Sequence, residues 1–89
     1  METVYIITFT SANSSLMLYK ILKDARIKVT MIQTPCKLSA GCARSLEIKK
    51  SDFNKAVDII KNSNIKIQKI YKRFINSKTR RYEYIEVSY

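Results

Sequence analysis

The sequence predicts an α+β protein whose elements follow the order β-α-β-β-α-β, with one more strand at the C-terminal end. Three observations lead to this prediction. Short β-branched and aromatic runs alternate with two segments that have apolar residues at helical spacing. The only proline and the only glycine, Pro35 and Gly41, fall in one connector. Hydrophobic residues make up 46% of the 89 residues, but no apolar run is long enough to span a membrane.

The first strand and the first helix are predicted over the N-terminal part of the chain. Residues 3–9, T-V-Y-I-I-T-F, are rich in strand-forming side chains and predict a buried strand. Ser11 or a neighbouring residue is the candidate N-cap of the following helix, which is expected to end near Arg26. The apolar face of this helix is expected to comprise Ser15, Leu18, Leu22 and Ala25.

Two further strands flank the connector. Residues 28–34, K-V-T-M-I-Q-T, predict a second strand that Pro35 ends, because proline has no N–H to donate to a strand. Residues 44–49 alternate, with Leu46 and Ile48 facing inward, and predict a third strand. The connector between these strands is expected to lie exposed at one end of the sheet.

The second helix is predicted to begin at Ser51 as N-cap, with Asp52 in its first turn. Asn62 and Asn64 suit its end, since asparagine tolerates a left-handed cap. Its apolar stripe is expected to be Phe53, Ala56, Val57 and Ile60.

The C-terminal part predicts a hairpin. Residues 65–75 alternate and predict a fourth strand, residues 76–79 a turn, and residues 80–87 a fifth strand. The complete order is the split βαβ, ferredoxin-like arrangement, with an antiparallel sheet and both helices on one face. We expect a single ferredoxin-like domain over residues 1–89, with residues 75–89 as a candidate hairpin extension.

Composition excludes several classes of enzyme. The chain has no histidine, which removes Ser-His and Cys-His nucleophile pairs. Two cysteines supply too few ligands for structural zinc, and one glycine cannot build a phosphate-binding loop. We therefore expect neither a metal nor a cofactor.

The net charge is +10, from 17 Lys and Arg against 7 Asp and Glu. This charge favours acidic partners, namely nucleic acid, anionic protein or anionic small molecules, although a solvated basic surface is the simpler interpretation. The start, M-E-T, shows no secretory signal, and two cysteines fit a reducing compartment. We expect a cytoplasmic protein with free thiols and no membrane contact.

The connector T-P-C-K-L-S-A-G-C contains both cysteines of the chain. Exposed loops on a rigid scaffold are where function concentrates. Gly41 permits a turn beside Cys42, and the cations Lys37 and Arg44 are five and two positions away from it. Because nearby cations favour thiolate over thiol, these residues predict a reactive Cys42. The alternative is that Cys36 and Cys42 are small apolar residues tucked under the loop.

Three segments of the chain resemble a known family. They are I-I-T-F at 6–9, L-Y-K-I-L-K at 18–23 and M-I-Q-T-P-C-K-L-S-A-G-C at 31–42. Together they resemble the small bacterial selenium/sulfur carrier-like proteins, which share a T-P-x-x-[IL]-S-x-x-C core. The resemblance extends over residues 4–72.

The resemblance implies that Cys42 is the carrier thiol, framed by Pro35, Ser39 and Gly41. Cys36 stands where the family usually has arginine, and Lys37 is the candidate to replace that charge. Cys36 is also a candidate resolving thiol, since it could form a disulfide with Cys42 or attack a persulfide on it. The implied function is to accept sulfur or selenium as a persulfide or selenosulfide from a donor such as a cysteine desulfurase, and to pass it to a partner enzyme. Such a carrier is not itself an enzyme and needs no cofactor.

The alternative function is RNA binding, because a ferredoxin-like sheet is also an RNA-recognition scaffold. Tyr5 and Phe9 on the first strand would stack on bases, yet the third strand has no aromatic residue. The charges could instead discourage an edge hairpin from pairing with another sheet. A regulatory or adaptor domain that pairs through the last strand is a third alternative, and a homodimer is also compatible with the sequence. The candidate face for nucleic acid or an acidic partner comprises Lys66, Lys69, Lys72, Arg73, Arg80 and Arg81.

Overall fold

The computed structural model describes residues 3–38 and 41–89. Within these residues the predicted order of elements is confirmed, and a short 3₁₀ turn, Lys50–Asp52, precedes the second helix. The strands and helices are β1 (Val4–Thr8), α1 (Ala12–Asp24), β2 (Val29–Gln33), β3 (Arg44–Lys49), α2 (Phe53–Asn62), β4 (Lys69–Ile75) and β5 (Tyr82–Val87).

In the described part of the chain, the strands form one five-stranded sheet in the order β2-β3-β1-β4-β5. Every neighbouring pair is antiparallel. The first four strands have the ferredoxin-like order, and β5 adds to the outer edge of β4. The predicted α+β fold with an extra C-terminal strand is therefore confirmed. Among the described residues, no helix is long and apolar enough to cross a membrane.

Both helices pack on the same face of the sheet. Tyr5 and Ile7 of β1 point to this face and share one core with Leu18 of α1 and Ile60 of α2. The predicted burial of Leu18, Leu22, Val57 and Ile60 is confirmed. Phe53 is only half-buried, and its ring stacks on that of Tyr5 with the centroids 3.8 Å apart.

The predicted helix ends are confirmed only in part. The Ser11 side chain caps α1 by accepting a hydrogen bond from the Ser14 N–H at 3.4 Å. Ser51 does not cap α2, because the 3₁₀ turn places it before the helix, and Asp52 is the cap residue. The asparagines do not form a left-handed cap. The last helical residue is Asn62, as predicted, but the cap is Ser63, whose backbone is extended and whose hydroxyl donates to the Ile60 carbonyl.

The C-terminal hairpin is shorter than predicted at both strand starts. β4 begins at Lys69, although the Gln68 N–H already donates to the Thr8 carbonyl at 2.8 Å. β5 begins at Tyr82, because Arg80 has a left-handed backbone, with φ of 56°, and belongs to the turn. A positive φ in a non-glycine residue is incompatible with a strand.

The sheet face opposite the helices, here called the open face, is also largely covered. Ile6 of β1 points to this face and is fully buried. Its register neighbour Glu47 pairs with Arg73 at 3.1 Å, so that an ion pair spans β1 from β3 to β4. Tyr71 lies beside Ile6 on the other side. Long side chains therefore cover the centre of the open face.

The connector adds to this cover. Leu38 is buried, and the Lys37 ammonium donates to the Tyr82 carbonyl on β5 at 3.0 Å. The first half of the connector also lies beside Tyr84, which shares the open face with Val4 and Arg73 in the strand register. The connector thus joins two antiparallel strands, as predicted. It does not stay at the end of the sheet, however, but folds back towards the C-terminal hairpin.

Candidate thiol site

Thr34 anchors both ends of the connector. Its N–H donates to the Ala43 carbonyl at 2.6 Å, and its hydroxyl donates to the Cys42 carbonyl at 3.0 Å. The Ser45 hydroxyl lies 2.6 Å from the Thr34 hydroxyl and is fully buried. Because the single Thr34 proton is engaged with Cys42, Ser45 is the donor in this second bond. The peptide of Cys42 is therefore held by a pair of linked hydroxyls.

The Cys42 thiol is free, half-buried and packed against the core on the helix side of the sheet. The Arg44 N–H donates to its Sγ at 3.4 Å. The Arg44 guanidinium instead lies 3.5 Å from the thioether sulfur of Met31. The contact between Arg44 and the thiol is thus made by the main chain, and a main-chain donor at this place can hydrogen-bond a sulfur that bears negative charge.

Gly41 is in a place where space, rather than backbone conformation, favours glycine. Its φ is not positive, so the turn does not demand glycine on conformational grounds. A Cβ at this position would lie 3.1 Å from the Thr10 Cα, so that this main-chain atom or the connector would have to shift by a few tenths of an ångström. The Gly41 N–H also donates to the Gln68 side chain at 3.3 Å. The glycine therefore lets the connector approach the end of β1. The predicted framing residue Ser39 lies outside the described residues.

Cys36 has different surroundings from Cys42. Its thiol is free and exposed, and it lies in a groove of about 430 Å³ between the connector and the C-terminal hairpin. Lys37, which the sequence suggested as a neighbour of Cys42, contacts β5 through the Tyr82 carbonyl. The groove is lined by Pro35, Cys36, Lys37, Arg80, Arg81, Tyr82 and Tyr84.

The basic residues proposed as one partner face are distributed over several places. Lys69 pairs with Glu86 at 3.2 Å, and the hydrogen bond and charge of Glu86 raise the pKa of Lys69. Arg73 is engaged with Glu47, and its guanidinium carbon lies 4.5 Å from the centre of the Tyr82 ring. Both cations lie on the open face with their charge already partnered.

The other four basic residues lie elsewhere. Lys72 lies opposite Tyr5 in the strand register and therefore on the helix side of the sheet. Lys66 lies in the loop after α2, beside Met17 and Ile21 of α1. Arg80 and Arg81 lie at the Cys36 groove.

The two aromatic rings suggested for base stacking are in the core. Tyr5 is 9% exposed and stacks on Phe53, and Phe9 is fully buried. Neither ring is available to a nucleobase in this structure. Among the residues that the structure describes, no group of three or more His, Cys, Asp or Glu side chains could hold a metal ion.

Three residues at the site were missed at the level of sequence, namely Thr34, Ser45 and Gln68. Thr34 is part of the T-P pair, and a hydroxyl beside a proline at a strand end was a usable signal. Ser45 reads as an ordinary strand residue. Gln68 is 27 positions from its partner Gly41, and no local pattern points to it.

Comparison with known protein families gives a match over most of the chain. A protein-family model described as "Putative Se/S carrier protein-like" matches residues 4–72, which includes both cysteines and ends within β4. Neither a curated protein nor a solved structure matches the chain. Since the match covers more than half of the sequence, the chain belongs to the Se/S carrier protein-like family.

Proposed function

We propose that this protein carries one sulfur or selenium atom on Cys42, as a persulfide or selenosulfide, and delivers it to a partner enzyme. The observation that carries this proposal is the position of Cys42. It lies within the matched residues, its carbonyl is bonded to Thr34, and its sulfur accepts the Arg44 N–H. A free thiol held in this way suits a carrier residue, because its sulfur has a defined direction of approach.

Loading is a thiolate attack on a sulfur–sulfur bond. The Cys42 thiolate attacks the terminal sulfur of a donor persulfide, a new S–S bond forms, and the donor cysteine leaves as a thiolate. Unloading is the reverse reaction with an acceptor nucleophile, and Cys42 leaves as the thiolate. The atom moves without net oxidation or reduction, so the carrier requires no cofactor. Selenium follows the same scheme through an S–Se bond.

Docking must bring the partner's reacting atom into the connector, because Cys42 is half-buried. The net charge of +10 favours a partner with an acidic surface, and charge complementarity raises the rate of encounter more than the affinity. A cysteine desulfurase or another persulfide-bearing protein with an acidic rim fits this requirement. Since the reacting atoms must meet, such a partner contacts the connector itself.

The test is intact-mass spectrometry after incubation with a cysteine desulfurase and cysteine. Wild type and Cys36→Ser are expected to gain the mass of one sulfur atom, whereas Cys42→Ser is expected to gain none. A parallel incubation with selenocysteine and a selenocysteine-specific lyase tests selenium. Equal loading of wild type and Cys42→Ser would show that Cys42 is not the carrier residue.

A further inference from the structure

The groove at Cys36 joins two parts of the chain that are distant in sequence. The connector contributes Cys36 and Lys37, and the hairpin contributes Arg80, Arg81 and the two tyrosines of β5. The hairpin turn lies beyond residues 4–72, the part that matches the family. This groove is therefore built partly from a segment to which the family match assigns nothing.

The charge of the groove is entirely positive among the described residues that line it. Three cations, Lys37, Arg80 and Arg81, line this open groove of about 430 Å³. Guanidinium groups pair with carboxylates through two parallel hydrogen bonds, which makes arginine the preferred partner of a carboxylate-bearing ligand.

The turn that presents the arginines is internally bonded. The Arg80 N–H donates to the Asn76 carbonyl at 2.7 Å, and the Asn76 side chain accepts the Lys78 N–H at 2.8 Å. On the other wall, Lys37 is tied to Tyr82. Hydrogen bonds thus hold the main chain of the turn and the Lys37 side chain without a ligand, which lowers the entropic cost of binding.

We propose that this groove binds a carboxylate-bearing low-molecular-weight thiol compound, in its persulfide or disulfide form, and presents its sulfur to Cys36. The cations hold the carboxylates, and the exposed Cys36 thiolate attacks the S–S bond. With a persulfide, Cys36 gains the terminal sulfur and the small thiol leaves as a thiolate. With a disulfide, Cys36 forms a mixed disulfide and the second half leaves as a thiolate. The persulfide reaction rests on the proposed carrier function, since it names a small-molecule donor for the same chain.

The experiment compares two symmetrical disulfides of opposite charge, oxidised glutathione and cystamine, on the full chain. Peptide mapping measures the rate of mixed-disulfide formation at Cys36. Replacing both arginines, in Arg80→Gln/Arg81→Gln, is expected to slow the reaction with oxidised glutathione about tenfold at low salt, because the attraction for its carboxylates is lost. The reaction with cystamine is expected to stay equal or become faster.

Lys78→Gln is the matched control, since Lys78 is an exposed cation of the same turn that does not line the groove. It is expected to change neither rate. The wild-type protein alone supplies a second measurement, because 0.5 M salt should slow the reaction of Cys36 with oxidised glutathione but not its reaction with cystamine. Equal slowing by Lys78→Gln, or no charge preference in wild type, would overturn the proposal.

The two proposals fail in different ways. If a desulfurase loads sulfur onto Cys42 but Cys36 shows no preference between the two disulfides, the proposed ligand site in the groove is wrong and the carrier function is supported. An arginine-dependent preference at Cys36, with no loading of Cys42, supports the groove as a thiol-exchange site and overturns the carrier function.

Discussion

The hydroxyl of Thr34 lies 3.0 Å from the carbonyl oxygen of Cys42 and 2.6 Å from the hydroxyl of Ser45. This places a fully buried serine, a threonine at the end of β2 and the peptide of the candidate carrier residue in one chain of hydrogen bonds. The thiol is therefore oriented by the strands that flank the connector. Its geometry should depend on hydroxyl groups that never touch the transferred atom.

Removing the Thr34 hydroxyl is expected to impair both stability and the reactivity of Cys42. Thr34→Val keeps the shape but takes away the acceptor for the buried Ser45 hydroxyl, which costs about 1–3 kcal/mol of unfolding free energy. Urea denaturation measures this loss, and alkylation with mapping measures the Cys42 rate. Thr34→Ser retains the hydroxyl and is expected to restore the wild-type rate. If Thr34→Val reacts at Cys42 like wild type, the hydroxyl pair does not position the thiol.

Adding one methyl group at Gly41 is expected to displace the connector. In Gly41→Ala the new Cβ meets the Thr10 Cα at 3.1 Å, and a loss of about 1 kcal/mol, the low end of overpacking costs, is expected because this exposed position can shift slightly. The bond from the Gly41 N–H to Gln68 should lengthen, and the alkylation rate of Cys42 should change with it. Ala43→Ser, at an exposed position of the same connector, is the control. Unchanged stability and rate in Gly41→Ala would contradict the close approach.

The ion pair across the open face is expected to matter more than the ion pair at the sheet edge. The Arg73 and Glu47 side chains are only 20% and 26% exposed, whereas those of Lys69 and Glu86 are 47% and 58% exposed. Glu47→Ala leaves a half-buried guanidinium without its carboxylate, and a loss of about 1–3 kcal/mol in unfolding free energy is expected. Glu86→Ala should change the free energy much less, because an exposed pair is screened by solvent. Equal effects in urea denaturation would refute this account of the open face.

Binding to RNA is expected to be weak at physiological salt. Lys69 and Arg73 are already paired with carboxylates, and Tyr5 and Phe9 are buried. Fluorescence anisotropy with single-stranded RNA should show affinity only at low salt, where counterion release dominates. Nanomolar affinity at physiological salt, unaffected by Cys42→Ser, would instead support the nucleic-acid alternative.

Most of the fold could be predicted because the residues within each strand and helix largely determine its type. β1 is a run of β-branched and aromatic residues, and all five of its residues are buried. Ser11 caps α1 as its position suggests. The prediction of Ser51 as the cap was wrong because a 3₁₀ turn precedes α2. A serine before an apolar stripe is compatible both with a helix cap and with such a turn. Arg80 failed as a strand residue because its left-handed backbone is imposed by the turn rather than by its side chain.

The sequence indicated which cysteines belong to the candidate site, but it did not indicate the contacts that surround them. The connector was identified by its content of proline, glycine and both thiols. Its path was not predictable, because it depends on pairs such as Lys37 with Tyr82, 45 positions apart. Sequence proximity likewise suggested that the charge of Arg44 would face Cys42, whereas the guanidinium lies at Met31. Nothing in a local pattern encodes which of several nearby groups a flexible side chain will contact.

Locating the transferred atom in the wild-type protein tests most directly whether Cys42 is the carrier residue. The chain is loaded by a cysteine desulfurase, and one half of the sample is then incubated with an acceptor thiol (the chase). Both halves are alkylated and digested, and mass spectrometry identifies the cysteine that bears the additional sulfur. We predict that the sulfur lies on Cys42 before the chase and is absent from it afterwards, with Cys42 recovered as a free thiol. A sulfur that stays on Cys42 through the chase, or that is found only on Cys36, would contradict the account.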